Sequence, residues 1–72
     1  MKEISKNQTI DYQGEKVKVI TINETINGIL SGTASSLPAT LEGNGICNTI
    51  FITVDNIERR IFADMIEKIF IV

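Results

Sequence analysis

Residue chemistry is the first constraint on what this chain can do. The 72 residues contain no histidine and a single cysteine, Cys47. Without an imidazole there is no side chain that trades protons near neutral pH unaided. Cys47 has no histidine or lysine near it in sequence to activate it, so it reads as a buried structural thiol. One cysteine forms no internal disulfide, and no Cys/His cluster has zinc spacing. The nine carboxylates are dispersed. Asp55 with Glu58, and Asp64 with Glu67, are close enough in sequence to meet, but they read as turn or surface residues. A catalytic site, a metal and a cofactor are therefore not expected.

Binding chemistry is better represented. The run Ser31-Gly32-Thr33-Ala34-Ser35-Ser36 offers hydroxyls and freely oriented N–H groups that could cradle a phosphate. It is not a P-loop, because no Gly-Lys-Ser/Thr follows. Leu41-Glu42-Gly43-Asn44-Gly45 reads as a turn. Arg59 and Arg60 are the only adjacent cations, and in a strand they point to opposite faces, so one of them serves a given site. The candidate ligand-binding residues are Ser31, Thr33, Ser35 and Ser36, with Arg59 or Arg60.

The net charge is −2. Nucleic-acid binders normally carry a basic stripe that displaces counterions from phosphates, and none is visible here. No stretch approaches the ~20 apolar residues that span a bilayer. Residues 1–7 lack the apolar run of a signal peptide, so the expectation is a cytoplasmic protein with Cys47 reduced and no membrane partner. A chain this short hides only roughly 60% of its unfolded surface and usually needs a staple. With disulfide and metal set aside, the staple is an apolar core or self-association. The 43% hydrophobic content can supply either.

The elements that must position these residues read mainly as strands. Residues 1–7 look like a flexible arm, and 8–72 like one domain. Thr9-Ile10-Asp11-Tyr12 reads as a short strand and Gln13-Gly14-Glu15 as a turn. Residues 16–22 are rich in β-branched side chains, charged and apolar by turns at first and apolar on both faces at the end. Asn23-Glu24-Thr25 reads as a turn. Residues 26–32 form a strand whose glycines mark a bend, a bulge or a close backbone approach. Residues 33–48 read as a long loop, with a short strand near Ala39-Thr40-Leu41. Residues 49–54 are the clearest strand, and Asp55-Asn56 follows as a turn. The remainder supports two readings. One is a helix over 56–70, with Asp55 as N-cap, Glu58 completing a capping box, and Ile57, Ile61, Met65 and Ile69 at four-residue spacing. The other is a pair of strands, which suits the β-branched and aromatic run from Ile69 to Val72.

The order of these elements resembles the Sm-like family of small β-barrels, and more broadly SH3-like barrels. Residues 17–22, the glycine-bent 26–32 with Gly28, the strand Ile50-Phe51-Ile52-Thr53-Val54, and Ile66-Glu67-Lys68-Ile69 carry the resemblance, over residues 17–72. It implies a five-stranded barrel in which a tight 3₁₀ turn precedes the last strand. It also implies rings in which the fourth and fifth strands pair between subunits, placing Phe70, Ile71 and Val72 at an oligomer interface. The chain departs from the family in three ways, one of them a loop between Gly32 and Asn48 that is longer than usual. The family usually opens with an N-terminal helix, and residues 1–12 do not look like one. The Lys-His pair with which bacterial members contact RNA would fall on Ala63-Asp64, so the resemblance does not carry that site over.

Together these readings lead to an all-β barrel, with α+β and a C-terminal helix as the alternative. The expected function is a non-catalytic, homo-oligomeric binding or regulatory protein for a nucleotide-type small ligand or a short RNA. The alternative is a protein-interaction module, an inhibitor or adaptor such as mobile elements carry, acting through loop 33–48 or an exposed strand edge.

Overall fold

The computed structural model describes residues 1–36 and 46–72, and the side chains of all of these except 35, 36, 46 and 47. It is an all-β structure in which six strands form one antiparallel sheet: β1 (Lys2–Ile4), β2 (Lys16–Thr21), β3 (Thr25–Ser36), β4 (Ile46–Val54), β5 (Ile57–Phe62) and β6 (Ile66–Ile71). The spatial order is β1-β6-β2-β3-β4-β5, which leaves β1 and β5 at the two ends. The sheet is not closed into a barrel, and it has one strand more than the five expected.

Alternation sets the faces. Along β2, Val17, Val19 and Thr21 are buried while Lys16 is exposed and Lys18 and Ile20 are half-buried. The same period puts Ile26 and Leu30 of β3, Ile50 and Ile52 of β4 and Ile61 of β5 into one core with Ile4, and a register shift that leaves Glu67 unpaired against β2 lets both Ile66 and Ile69 of β6 join it. Leu30, Ile50 and Ile52 are fully inaccessible to solvent. The two-sided apolar end of β2 continues past the strand into Ile22, which is exposed.

The sheet is curled rather than flat, and β3 does the bending. A Cβ placed on Gly28 would lie 2.5 Å from the Thr53 carbonyl oxygen and 2.6 Å from Ile52 Cγ2. Only a residue without a side chain lets β3 press this closely on β4. The β3–β4 register also shifts between Leu30 and Gly32, so Ser31 is the unpaired residue of a bulge. Bulges of this kind increase bending and twist.

Several sequence expectations are corrected. Residues 1–7 are not an arm: Lys2, Glu3 and Ile4 pair with Ile71, Phe70 and Ile69 of β6. Ile4 is buried, and burying it ties the N-terminal segment down. Thr9 to Tyr12 is not a strand but the second half of a 3₁₀ helix, Lys6–Tyr12. That helix opens with a capping box between Ser5 and Gln8, and its Thr9 hydroxyl donates to the Lys6 carbonyl at 2.6 Å. The helix alternative over 56–70 is overturned. Asp55 and Asn56 both have positive φ (52° and 67°), the type I′ geometry that joins twisted strands by a two-residue loop. Instead of capping a helix, Asp55 turns the chain back so that β5 pairs with β4 from Val54↔Ile57 to Thr49↔Phe62. The tight 3₁₀ turn before the last strand is present at Ala63–Met65. Gly14 sits at a turn with φ 91°, as expected of the Gln13-Gly14-Glu15 segment. Both ends of the expected 33–48 loop are strand, since β3 runs to Ser36 and β4 starts at Ile46. The short strand read near residues 39–41 and the 41–45 turn lie outside the described residues.

Gly28→Ala is expected to lower stability by about 1–3 kcal/mol, because the new methyl group overlaps β4 backbone that has no room to move. A lower urea midpoint at unchanged slope would report it. Asn56→Ala is expected to cost about 1 kcal/mol by forcing a Cβ-bearing, non-amide residue into the left-handed region. Asn56→Gly should not show that loss in the same assay.

Candidate functional site

The two-residue turn at Asp55-Asn56 decides what β5 presents. In such a hairpin the flanking pair, Val54 and Ile57, is hydrogen-bonded, and the bonded pairs then alternate. Ile57, Arg59 and Ile61 therefore direct their backbone N–H and C=O groups at β4. Those of Glu58, Arg60 and Phe62 face the open side of the sheet. The side chains alternate as well, with Ile61 buried on the core side and Glu58, Arg60 and Phe62 exposed on the other.

The outer face of the β4–β5 hairpin carries an aromatic and cationic group. Phe62 is 55% exposed. The Arg60 guanidinium lies 5.4 Å from the centroid of its ring, within the range of a cation–π contact. Phe51 is the cross-strand neighbour of Arg60, half-buried, with its ring edge over Gly32. Ser31, freed by the bulge, donates its hydroxyl to the Phe51 carbonyl at 3.1 Å and approaches Glu58 Oε1 at 3.3 Å. Glu58, Arg60, Phe62, Phe51 and Ser31 thus form one exposed surface.

Arg59 belongs to the opposite side. Its two guanidinium nitrogens donate to the two carboxylate oxygens of Glu24 at 3.2 and 3.0 Å, a bidentate pair. Glu24 is held in place by the β2–β3 turn. The buried Thr21 hydroxyl accepts from the N–H groups of Asn23 and Glu24 and donates to the Glu24 carbonyl. The Arg59 hydrogen bonds, and then its charge, hold the Glu24 carboxyl below the usual glutamate range and raise Arg59. Both groups are solvated, so the pair orients two side chains more than it stabilises the fold.

Two depressions adjoin these elements. One of about 190 Å³ lies along the β5 edge, lined by Thr21, Glu24, Arg59 and Met65 and also by Arg60 and Phe62. A larger one of about 420 Å³ lies between the N-terminal segment and the Ala63–Met65 turn. Its lining mixes Glu3, Asp64 and Glu67 with Lys6 and Lys68. Ala63 is buried there and Asp64 exposed, so the place where the resemblance would put a cation and a ring holds a methyl group and a carboxylate.

The expected ligand residues are therefore divided. Ser31 and Arg60 share the outer face. Arg59 is on the other side and engaged by Glu24. Thr33 pairs with Ile50 and is half-buried. The side chains of Ser35, Ser36 and Cys47 lie outside those described. The expected interface residues have no free backbone edge. Phe70 and Ile71 are flanked by β1 on one side and β2 on the other, and the Val72 N–H donates to the Lys16 carbonyl at 3.0 Å. Pairing between subunits along β6 is blocked by the chain's own N-terminal strand. Phe51, Phe62 and Glu24 are not among the site residues that residue type and spacing alone point to. The strict alternation of 57–62 after a two-residue turn could have placed Phe62 beside Arg60, whereas nothing local joins Glu24 to Arg59.

The fold and site define a small antiparallel β-sheet protein with an aromatic and arginine-bearing face. Comparison with known proteins returns no match: no family model fits the chain, and no curated protein or solved structure is significantly similar to it. Among the described residues, no helix is long and apolar enough to cross a membrane, and no group of three or more His, Cys, Asp or Glu could hold a metal ion.

The ion pair has a pH signature. A carboxyl whose folded pKa is depressed stabilises above its unfolded pKa, and that contribution is lost as pH falls through the folded value. NMR titration is expected to place the Glu24 carboxyl below the ordinary glutamate value. In Arg59→Met, Glu24 should return to the ordinary range.

Proposed function

We propose that this protein is a non-catalytic binding protein that takes a nucleotide-type ligand or a short single-stranded RNA on the outer face of the β4–β5 hairpin. The observation that carries this reading is the solvent-exposed Phe62 ring with the Arg60 guanidinium beside it. An aromatic face stacks on a base at about 1–3 kcal/mol per base, and an adjacent arginine meets the phosphate or stacks in its turn. Ser31 supplies a hydroxyl at the margin. Thr33, Ser35 and Ser36 belong to the same strand end, and Arg59 is assigned to Glu24 instead. The strand order from β6 through β5 and the 3₁₀ turn at Ala63–Met65 are in keeping with the Sm-like resemblance. The Ala63-Asp64 pair moves the expected contact away from that turn. The reading includes a cytoplasmic setting, self-association and no cofactor.

The acidic balance of the chain has a consequence for the ligand. With few cations to neutralise phosphates, binding should depend only weakly on salt, unlike that of a protein tracking a long backbone. Fluorescence anisotropy with labelled mononucleotides and short oligonucleotides tests this. Phe62→Ala and Arg60→Gln are each expected to weaken binding about 10-fold. Lys16→Gln, which removes a cation from a different strand, should have little effect. No saturable binding by the wild-type chain would rule the reading out.

The second reading is a protein-interaction module using loop 33–48 or an exposed strand edge. The specific support for it is the outer edge of β5, which pairs with no other strand among the described residues.

A further inference from the structure

Among the described residues, the backbone of β5 has its outward-facing groups without a partner strand, at the end of the sheet. We infer that this edge pairs antiparallel with β5 of a second copy of the same chain, about a two-fold axis through Arg59, so that one sheet runs through both subunits. The inference specifies how the self-association proposed above is built. It rests on that part of the reading and is independent of the ligand.

The argument begins with parity. Only residues whose N–H and C=O face the open side can form the bonded pairs of a new antiparallel ladder. On β5 these are Glu58, Arg60 and Phe62, as the Asp55-Asn56 turn dictates. A two-fold pairing then has few registers. If Arg60 faces its own copy, two guanidinium groups oppose each other. If Glu58 faces its own copy, two carboxylates do. The intermediate register sets Glu58 against the second copy's Arg60, and by symmetry Arg60 against the second copy's Glu58. Like charges directly opposite destabilise and opposite charges stabilise, so the charges of β5 select this register.

The core-side residues agree with it. In the same register Ile57 lies opposite the second copy's Ile61, in a non-bonded pair where side chains approach most closely. Ile57 is 67% exposed, among the most exposed large apolar residues of the described chain, and this pairing covers it. Arg59 lies on the axis opposite its own copy. That close approach of cations is the one apparent obstacle, and it is met within each chain by the bidentate Glu24 carboxylate. The axis would therefore collect two arginines and two glutamates, with no net charge.

Alternative edges are less suited. Both sides of β6 are occupied, by β1 and β2. The outer edge of β1 spans three residues, against six in β5. The two-fold pairing also sets the Phe62 and Arg60 groups of both copies on the same face of the joined sheet.

Sedimentation equilibrium of the full chain, without ligand, tests the inference. The wild type is expected to dimerise. Glu58→Arg and Arg60→Glu each place like charges opposite at two symmetric positions, and each should weaken association about 10-fold. The double variant Glu58→Arg/Arg60→Glu restores complementarity and should recover most of the loss. Circular dichroism of each variant establishes that the fold is kept. In the dimer, hydrogen exchange at the Glu58 and Arg60 amides should slow as concentration rises. A wild type that stays monomeric overturns the inference. So does association indifferent to both single swaps, or a double variant no better than the singles. Because no ligand is present, these outcomes are distinct from failure of the nucleotide reading, which the anisotropy titration reports.

Discussion

At Gly28 the backbone of β3 lies against β4 so closely that a single added methyl group would overlap the Thr53 carbonyl. Most of the architecture follows from that approach. It curls the sheet, and the curl lets one face of six strands enclose a common core. Ile26 and Leu30, on either side of Gly28, meet Ile50 and Ile52 in that core. A straight β3 would leave more of the same alternating apolar face in water. For so short a chain, with little surface to hide, that difference is a large part of the net stability.

The curl is continued by the bulge at Ser31 and ended by the turn at Asp55-Asn56. The bulge leaves Ser31 out of the ladder and sends its hydroxyl to the Phe51 carbonyl and Glu58. The turn fixes the phase of β5, and phase matters because a one-residue slip in a strand exchanges its faces. With the phase as found, Arg59 meets Glu24 while Arg60 joins Phe62 outside. A slip would put Phe62 toward the core and Ile61 in water. The outer surface, the ion pair and the polarity of the β5 edge are three consequences of one two-residue loop.

The N-terminal segment completes the sheet in a way that changes what its surfaces can do. Ile4 fills a place in the core, and in doing so lays Lys2 to Ile4 along β6. The edge along Phe70, Ile71 and Val72 is thereby satisfied internally. Backbone groups already paired offer nothing to another subunit. Among the described strands, the longer open edge then lies at the far end of the sheet, at β5, beside the aromatic and arginine group.

Much of this was legible in the amino-acid order. Period-two alternation in 16–21 and 49–54 declares strands with one buried face, because neighbouring side chains on a strand must point to opposite sides. The turn at Asp55-Asn56 and the close approach at Gly28 are local, since glycine, asparagine and aspartate tolerate backbone that other residues avoid. The lack of histidine and of clustered ligands is also plain from composition. Residues 57–70 were not decidable in this way. Isoleucines at four-residue spacing and a capping-box pattern describe a helix as well as two strands, and only pairing with β4 and β2 separates them. Nor could the sequence place Glu24 against Arg59, 35 residues apart, or show that Lys2 to Ile4 would take the edge of β6. Those are contacts between distant parts of the chain, and their geometry exists only once the sheet has curled. The sequence by itself determined strands, turns and available chemistry, because these depend on neighbouring residues. The tertiary structure alone decided which side chains share a face and which backbone edge stays open, because these depend on register between strands far apart in the chain.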